Sequence, residues 1–407
     1  MCDNRHYISE APLSLNSVRR RVEAFLAANG LRLAPLDRYV VVTRDEDGNE
    51  ILAGGGLDGN VIKCVAVSES ARSEGLMNIL VSRLIAIARE EGRESVKAFT
   101  KPENEGIFKS LGFALIASSP NAILMENGRG GLPEYRKYLE SLARPGRNGA
   151  IVMNANPFTK GHRYLVEQAA SQVDNLYVIV VKEDRSRFPY VERKAMIEAG
   201  CAGLDNVVVC EGSDYAISAA TFPTYFLKKL DDATDTQIAL DLDLFVNHIA
   251  KPLGVTVRFA GSEPEDALTR RYNELMAEIL PNFVEIPRLE QNGNPISATS
   301  LRRALDKGNL KEAMEYIPKS TVPYLVADLA ERALRLELDT TPKPGLVDRC
   351  DNGAHKDMDY ALMSKSISAL RPYLTRLAVE SAKDIDPAKI KAVSYTHLRA
   401  HETRGNL

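Results

Sequence analysis

The densest chemical text in the chain is the stretch Asn156-Pro157-Phe158-Thr159-Lys160-Gly161-His162, directly after the apolar run Ile151-Val152-Met153. An apolar run followed by Asn-Pro and Gly reads as a strand that leaves its sheet, turns, and starts a helix at about His162. Such a turn aims unpaired backbone N–H groups and the positive end of a helix dipole at one point, where phosphate is favoured. Gly161 lets the backbone approach closely, and His162 sits where an imidazole N–H can donate to a charged phosphate oxygen. Far downstream comes Ile296-Ser297-Ala298-Thr299-Ser300-Leu301-Arg302. Ser297 or Thr299 can cap the helix that follows, leaving hydroxyls, N–H groups and a guanidinium together at another helix start. Two phosphate-shaped sites in one α/β domain are what a bound triphosphate needs. Each stretch alone is a weak signal, since Gly-His after a strand is usually a plain helix start. Their joint appearance, in this order, carries the reading.

Thr-x-Gly-His with a late Ile-Ser-x-Thr-x-x-Arg resembles the nucleotidylyltransferase superfamily. The longer text through Arg163-Tyr164-Leu165-Val166-Glu167, together with Thr221-Phe222-Pro223-Thr224-Tyr225-Phe226-Leu227-Lys228, resembles the citrate lyase ligase family over residues 150–325. The resemblance implies a two-step reaction. Acetate attacks the α-phosphate of ATP to give acetyl-adenylate and pyrophosphate; the thiol of the prosthetic group on the citrate lyase acyl carrier subunit then takes the acetyl group, and AMP leaves. It implies catalytic roles for His162 and Thr159 at the α-phosphate and for Arg302, with Ser297 and Thr299, at the outer phosphates. Asn156, which orients the turn, and Pro157, Phe158, Gly161, Lys182 and Ser300 complete the expected ATP site. Lys182 follows a predicted strand and would add positive charge there; Arg193 is a weaker candidate of the same kind. Mg2+ is expected to accompany the triphosphate, but no dedicated carboxylate cage stands out, and no metal site on the protein is expected.

These residues need a parallel sheet to hold them. From Ala150 the order is strand, helix (His162 to Gln172), strand (Leu176 to Val181), helix (about Glu192 to Ala199) and strand (Val207 to Val209). This alternation predicts a Rossmann-like α/β domain over 149–322, with ligands at the carboxyl ends of the strands. The text of 128–148, rich in Gly, Pro, Arg and Tyr, reads as a linker with a short helix at Glu134 to Ala143. A weaker joint lies near Pro318 to Pro323, after two amphipathic helices.

Residues 1–127 alternate strands (Tyr39 to Thr43, Ile51 to Gly55, Val61 to Val67) with a helix from Gly75 to Glu91, whose apolar face is Leu76, Ile79, Leu80, Leu84, Ile87 and Ala88. Arg72-Ser73-Glu74-Gly75-Leu76-Met77 opens that helix as a backbone anion site. With Leu111-Gly112-Phe113 it resembles the acyl-CoA N-acetyltransferase (GNAT) fold, an α+β domain. That resemblance makes Arg72 and Gly75 candidates for holding a CoA-like arm, although Met77 stands where the motif has Gly or Ala. In residues 323–392, Thr340-Thr341-Pro342-Lys343-Pro344-Gly345-Leu346-Val347-Asp348-Arg349 and the polar set His355, Lys356, Asp357 and Asp359 resemble the start of triphosphoribosyl-dephospho-CoA synthase. The expectation is a short helical fragment too small to close around a site of its own. Residues 393–407 resemble a translated adapter read-through and are set aside from fold reasoning.

The chain's 407 residues exceed one ordinary core and predict two or three domains. A formal net charge of -3 offers no basic field for nucleic acid. No apolar run is long enough for a membrane span, and Met1 to His6 is no signal peptide, so a cytoplasmic enzyme without membrane or nucleic-acid partners is expected. The five cysteines lack C-x-x-C spacing and read as small buried hydrophobes. His248, on an apolar helical stretch, reads as a packed histidine. Two other functions compete: a nucleotidylyltransferase of coenzyme assembly, sharing Thr159, Gly161, His162 and Arg302, and a non-catalytic CoA- or nucleotide-binding protein. The first does not need the N-terminal segment or the Phe-Pro-Thr-Tyr-Phe text; the second does not need both phosphate stretches intact.

Overall fold

The computed structural model describes residues 6–340, apart from 47, 49, 129–130, 183–185, 214, 216–221, 223–225, 227–232, 264–265, 292 and 308. The text from Thr221 to Lys228 lies mostly outside the described residues, as do the polar set from Asp348 to Asp359 and the tail.

A seven-stranded sheet is built from β1 (Tyr7–Glu10), β2 (Arg38–Thr43), β3 (Ile51–Asp58), β4 (Val61–Val67), β5 (Ser95–Thr100), β6 (Ala114–Ser118) and β7 (Ile123–Gly128), in the order β1-β2-β3-β4-β5-β7-β6. Its pairs are antiparallel except β4 with β5, which run parallel at Val61↔Lys97 and Ile62↔Ala98. The helix Leu76–Glu90 covers it, and Leu76, Leu80, Leu84 and Ile87 meet Leu52, Leu57 and Ile62 in one core. Ile79 departs from the expected apolar face and stays 41% exposed, because the inward stripe is narrower than its spacing suggested. This is the α+β fold expected of the first segment. The short strand β1 and the helix Asn16–Ala28 precede the elements read from the sequence.

The second sheet consists of β8 (Asn148–Met153), β9 (Asn175–Val180), β10 (Val207–Cys210), β11 (Val255–Gly261) and β12 (Phe283–Ile286), ordered β10-β9-β8-β11-β12. β11 pairs in parallel with both β8 and β12. The chain steps outward from β8 through β9 to β10 and then returns to the other side of β8. Strand order therefore reverses at β8, and the crevice at such a reversal is where α/β folds hold ligands. The helices Lys160–Ala170 and Tyr190–Cys201 make the first two crossovers. The first starts two residues before the expected His162, since Thr159 supplies the cap.

The described residues form two compact units. One takes in 6–152, 169–179 and 212–287; the other takes in 153–168, 180–211 and 288–340. Residues 128–148 contain the helix Leu132–Leu142, where a short helix was expected at Glu134 to Ala143. Within the first unit, His248 bonds the Ile116 carbonyl through Nε2 at 2.7 Å, in keeping with a packed histidine. Cys64, Cys201 and Cys210 are unpaired and buried. In the second unit the joint at Pro318 to Pro323 is a single tight turn, Lys319–Thr321, leading into the helix Val322–Thr340. Pro323 sits in that helix's first turn, where no intrahelical N–H is needed. No helix among the described residues is long and apolar enough to cross a membrane.

Candidate functional site

Apart from Arg72, Gly75 and Met77, every site side chain named below belongs to the second unit. β8 runs straight into the turn Asn154 to Phe158, and the helix Lys160–Ala170 begins behind it. Thr159 is fully buried and caps this helix: its Oγ1 accepts from the His162 N–H at 3.3 Å. In return the Thr159 N–H donates to His162 Nδ1 at 3.0 Å. This is a capping box with an imidazole in the place usually taken by a glutamate. The exchange fixes the ring's tautomer, as assigned from its hydrogen bonds: Nδ1 accepts, so the proton of the neutral ring sits on Nε2. Burial, followed by repulsion from Arg288 and Arg302, pushes the His162 pKa down to about 4. The residue as a whole is half-buried. His162 is therefore a neutral N–H donor at pH 7.

The turn is held by side chains distant in sequence. Asn156 Oδ1 accepts from the Phe188 N–H at 3.1 Å, and the Asn156 carbonyl accepts from Arg302 Nη1. The Asn156–Pro157 peptide is cis. Phe158 is fully buried, and its ring fills the space where a Cβ on Gly200 would come within 2.3 Å. The Phe158 ring thus packs inside and holds the turn in place. Arg193 is also fully buried. Its Nε donates to the Phe188 carbonyl, and its Nη1 donates to the Asn154 carbonyl, Asn154 Oδ1 and the Val181 carbonyl at 2.6–3.0 Å. Arg193, expected as a weaker source of charge for a ligand, is instead directed at three main-chain carbonyls and the Asn154 side-chain oxygen.

The second stretch meets the first. Ser297 caps the helix Ala298–Asp306, its Oγ accepting from the Ser300 N–H at 3.0 Å. The two hydroxyls of Ser297 and Ser300 lie 2.9 Å apart. Thr299 is exposed in the first turn and accepts from Arg302 Nη2 at 3.0 Å. Arg302 therefore joins Thr299 to the Asn156 turn, and the two helix starts face one guanidinium. Gly161 is a point of close backbone approach within the protein itself. A Cβ there would stand 2.6 Å from the Ile296 carbonyl oxygen, so its bareness lets the second stretch lie against the first helix. Lys182 follows β9 by two residues and is exposed.

The site is electropositive. The Arg302 pKa is lowered by burial and then by the nearby Arg187, and Arg288 and Arg302 both act on His162. Asp306 opposes this by favouring the charged form of Arg302. Neither Arg187 nor Arg288 lies in a recognisable motif spacing; Arg187 stands three residues before the helix Tyr190–Cys201. In the first unit, Arg72 lies exposed in the turn Glu69–Glu74, and Gly75 adopts φ +72 with open space at its Cβ position. Met77 packs against the core of that unit.

Comparison with known proteins gives the family. A family model for the citrate lyase ligase C-terminal domain matches residues 148–325, and one for ATP:dephospho-CoA triphosphoribosyl transferase matches residues 323–402. A [citrate [pro-3S]-lyase] ligase of Escherichia coli (strain K12) is 41% identical over 324 residues, covering 77% of this chain and 91% of that protein. A Klebsiella pneumoniae relative of the same description is 42% identical, covering 77% and 94%. A probable 2-(5''-triphosphoribosyl)-3'-dephosphocoenzyme-A synthase of Photobacterium profundum is 45% identical over 65 residues, which is 16% of this chain and 21% of that protein. Among solved structures, an acetyltransferase of the GNAT family from Staphylococcus aureus MU50 matches 31% of this chain and 100% of its own, at 12% identity and a TM-score of 0.26. With two stretches that meet at Arg302 and relatives matched over nearly their full length, the chain belongs to the citrate lyase ligase family.

Proposed function

We propose that this chain is an ATP-dependent acid–thiol ligase that acetylates the prosthetic-group thiol of the citrate lyase acyl carrier, thereby activating citrate lyase. In the first step an acetate oxygen attacks the α-phosphorus of ATP. The bond to the bridging oxygen breaks, and its electron pair leaves on pyrophosphate. In the second step the carrier's sulfur attacks the acetyl carbonyl, the thiol proton passes to solvent, and the acyl–oxygen bond breaks with its electrons on AMP. Acetate is already an anion and needs no activating base, so the protein's task is positioning and neutralisation of charge.

The observation that carries this reading is the junction at Arg302, where the guanidinium bonds both Thr299 and the Asn156 carbonyl. It supports one continuous phosphate cradle. In that cradle the His162 Nε2–H would address the α-phosphate, with Thr159 holding the ring. Arg302, Ser297, Thr299 and Ser300 would address the outer phosphates. Asn156, Pro157, Phe158 and Gly161 shape the turn, and Lys182 adds charge from the end of β9. Among the described residues no group of three or more His, Cys, Asp or Glu could hold a metal ion, so Mg2+ would travel on the triphosphate and no step is assigned to it. The domain boundaries proposed are those of the sequence reading: 1–127, a linker over 128–148, the ligase domain over 149–322, and the second-family segment over 323–392. Acetate and the carrier are the proposed partners, in the cytoplasm.

The test is acetate-dependent exchange of labelled pyrophosphate into ATP. Exchange that needs acetate and disappears in His162→Ala is expected. A wild-type protein that binds ATP yet exchanges nothing, with the carrier present, overturns the reading.

A further inference from the structure

The ligase family match ends at residue 325, yet the helix Val322–Thr340 runs on past it, into the segment matched to the second family. The helix is tied to the ATP-site turn at two places. At its entrance, the fully buried Thr321 donates from Oγ1 to the Phe158 carbonyl at 2.9 Å. Two turns further along, the Asp328 carboxylate, itself 4% exposed, receives Arg187 through Nε at 3.0 Å and Nη2 at 2.5 Å. Arg187 Nη1 reaches Asp306 at 3.1 Å, at the end of the second-stretch helix. Arg332 adds a contact of 3.3 Å to Asp328 from one turn below.

Arg187 is thus clamped to two helices, and its neighbour Phe188 is the residue whose N–H holds Asn156 Oδ1. The guanidinium side chain is 9% exposed. A charge so deeply buried keeps its place only while its carboxylate partner is present. Asp328 fixes Arg187, Arg187 fixes the segment Ser186 to Phe188, and that segment holds the Asn156 turn against Arg302.

We infer that Asp328 is a positioning residue for the ATP site, so that the first helix of the second-family segment is a working part of the ligase. The inference rests on the ligase reading for the identity of the nucleotide.

The test uses the full chain and two variants, Asp328→Asn and the double replacement Arg187→Met with Asp328→Leu. ATP affinity is measured directly, with thermal stability and the kinetics of pyrophosphate exchange alongside. Asp328→Asn is expected to weaken ATP binding and raise the KM for ATP about tenfold, with a smaller change in kcat, and to lower the Tm. The double variant replaces a buried ion pair with apolar groups, an exchange that proteins often tolerate without loss of stability. It is expected to recover the Tm while ATP binding stays weak. A double variant with wild-type ATP affinity would make the pair a structural tie only. Tighter ATP binding in Asp328→Asn would mean that the carboxylate acts by repelling phosphate, which also overturns the positioning role. Failure of the ligase reading would appear separately, as wild type that binds ATP without acetate-dependent exchange.

Discussion

Replacing Gly161 with alanine tests whether the two phosphate stretches must lie in contact. The added Cβ would stand 2.6 Å from the Ile296 carbonyl oxygen, where ordinary contact begins at 3.4 Å, so the two segments must part by the difference, 0.8 Å. The obstacle is a backbone atom, which cannot rotate aside. Two effects on stability oppose each other. Overpacking costs about 1–3 kcal/mol, whereas alanine in a helix gains about 1 kcal/mol over glycine. The net loss is therefore about 0–2 kcal/mol, a Tm shift of about 0–8 °C for a domain of this size. Catalysis is more sensitive. A displacement near 1 Å between reacting groups costs on the order of 10²-fold. The expected result is a folded protein whose acetate-dependent pyrophosphate exchange falls about a hundredfold, read against a melting curve of the same preparation. Exchange within about threefold of wild type would refute the reasoning, because the separation would then be shown not to matter to the cradle.

Further predictions concern the side chains around that contact. The His162 ring, with its pKa pushed from 6.5 down to about 4, should remain neutral in an NMR titration from pH 8 to pH 5. Since the folded pKa is depressed, the unfolded chain takes up the proton first: the stability is fully present above pH 6.5 and is lost as pH falls towards 4. The loss is at most about 3 kcal/mol, reduced by the residue's partial exposure. Bound ATP should raise the midpoint, and a midpoint near 6.5 in the free protein would remove the basis for a neutral donor. Arg193→Met should destabilise the protein by about 3–5 kcal/mol through the buried carbonyls it leaves open. Arg193→Lys should not rescue it, because an ammonium cannot span the same acceptors; denaturant melts showing a loss below about 1 kcal/mol in either variant would contradict that bracing role.

Much of the candidate site was legible in the text because its elements are local. Strand, turn and helix start occur within twelve residues at Ile151 to His162, and Ser297 caps its helix as its spacing suggested. The capping exchange between Thr159 and His162 also spans only three residues, so sequence neighbourhood alone brings the groups together. The parallel sheet followed from the alternation of elements, and the motif text identified the family. The placement of β11 beside β8 did not follow, because strand order after a long connection depends on which edge of the sheet is open when the chain returns.

What the sequence left unread are contacts between segments that only packing brings together. Arg193 looked like surplus charge at a strand end until three segments converged on its guanidinium. Gly161 reads in the sequence as a place of close backbone approach, and the backbone that packs there is Ile296, 135 residues away. Arg187 and Asp328, 141 residues apart, carry no motif at all. The sequence by itself determined the residue types, their local turns and caps, and the family, because those depend on dihedral preference and on groups a few bonds apart. Only the tertiary structure decided which distant charges neutralise one another and which backbone needs a bare glycine, since burial and close approach arise when separate segments pack together.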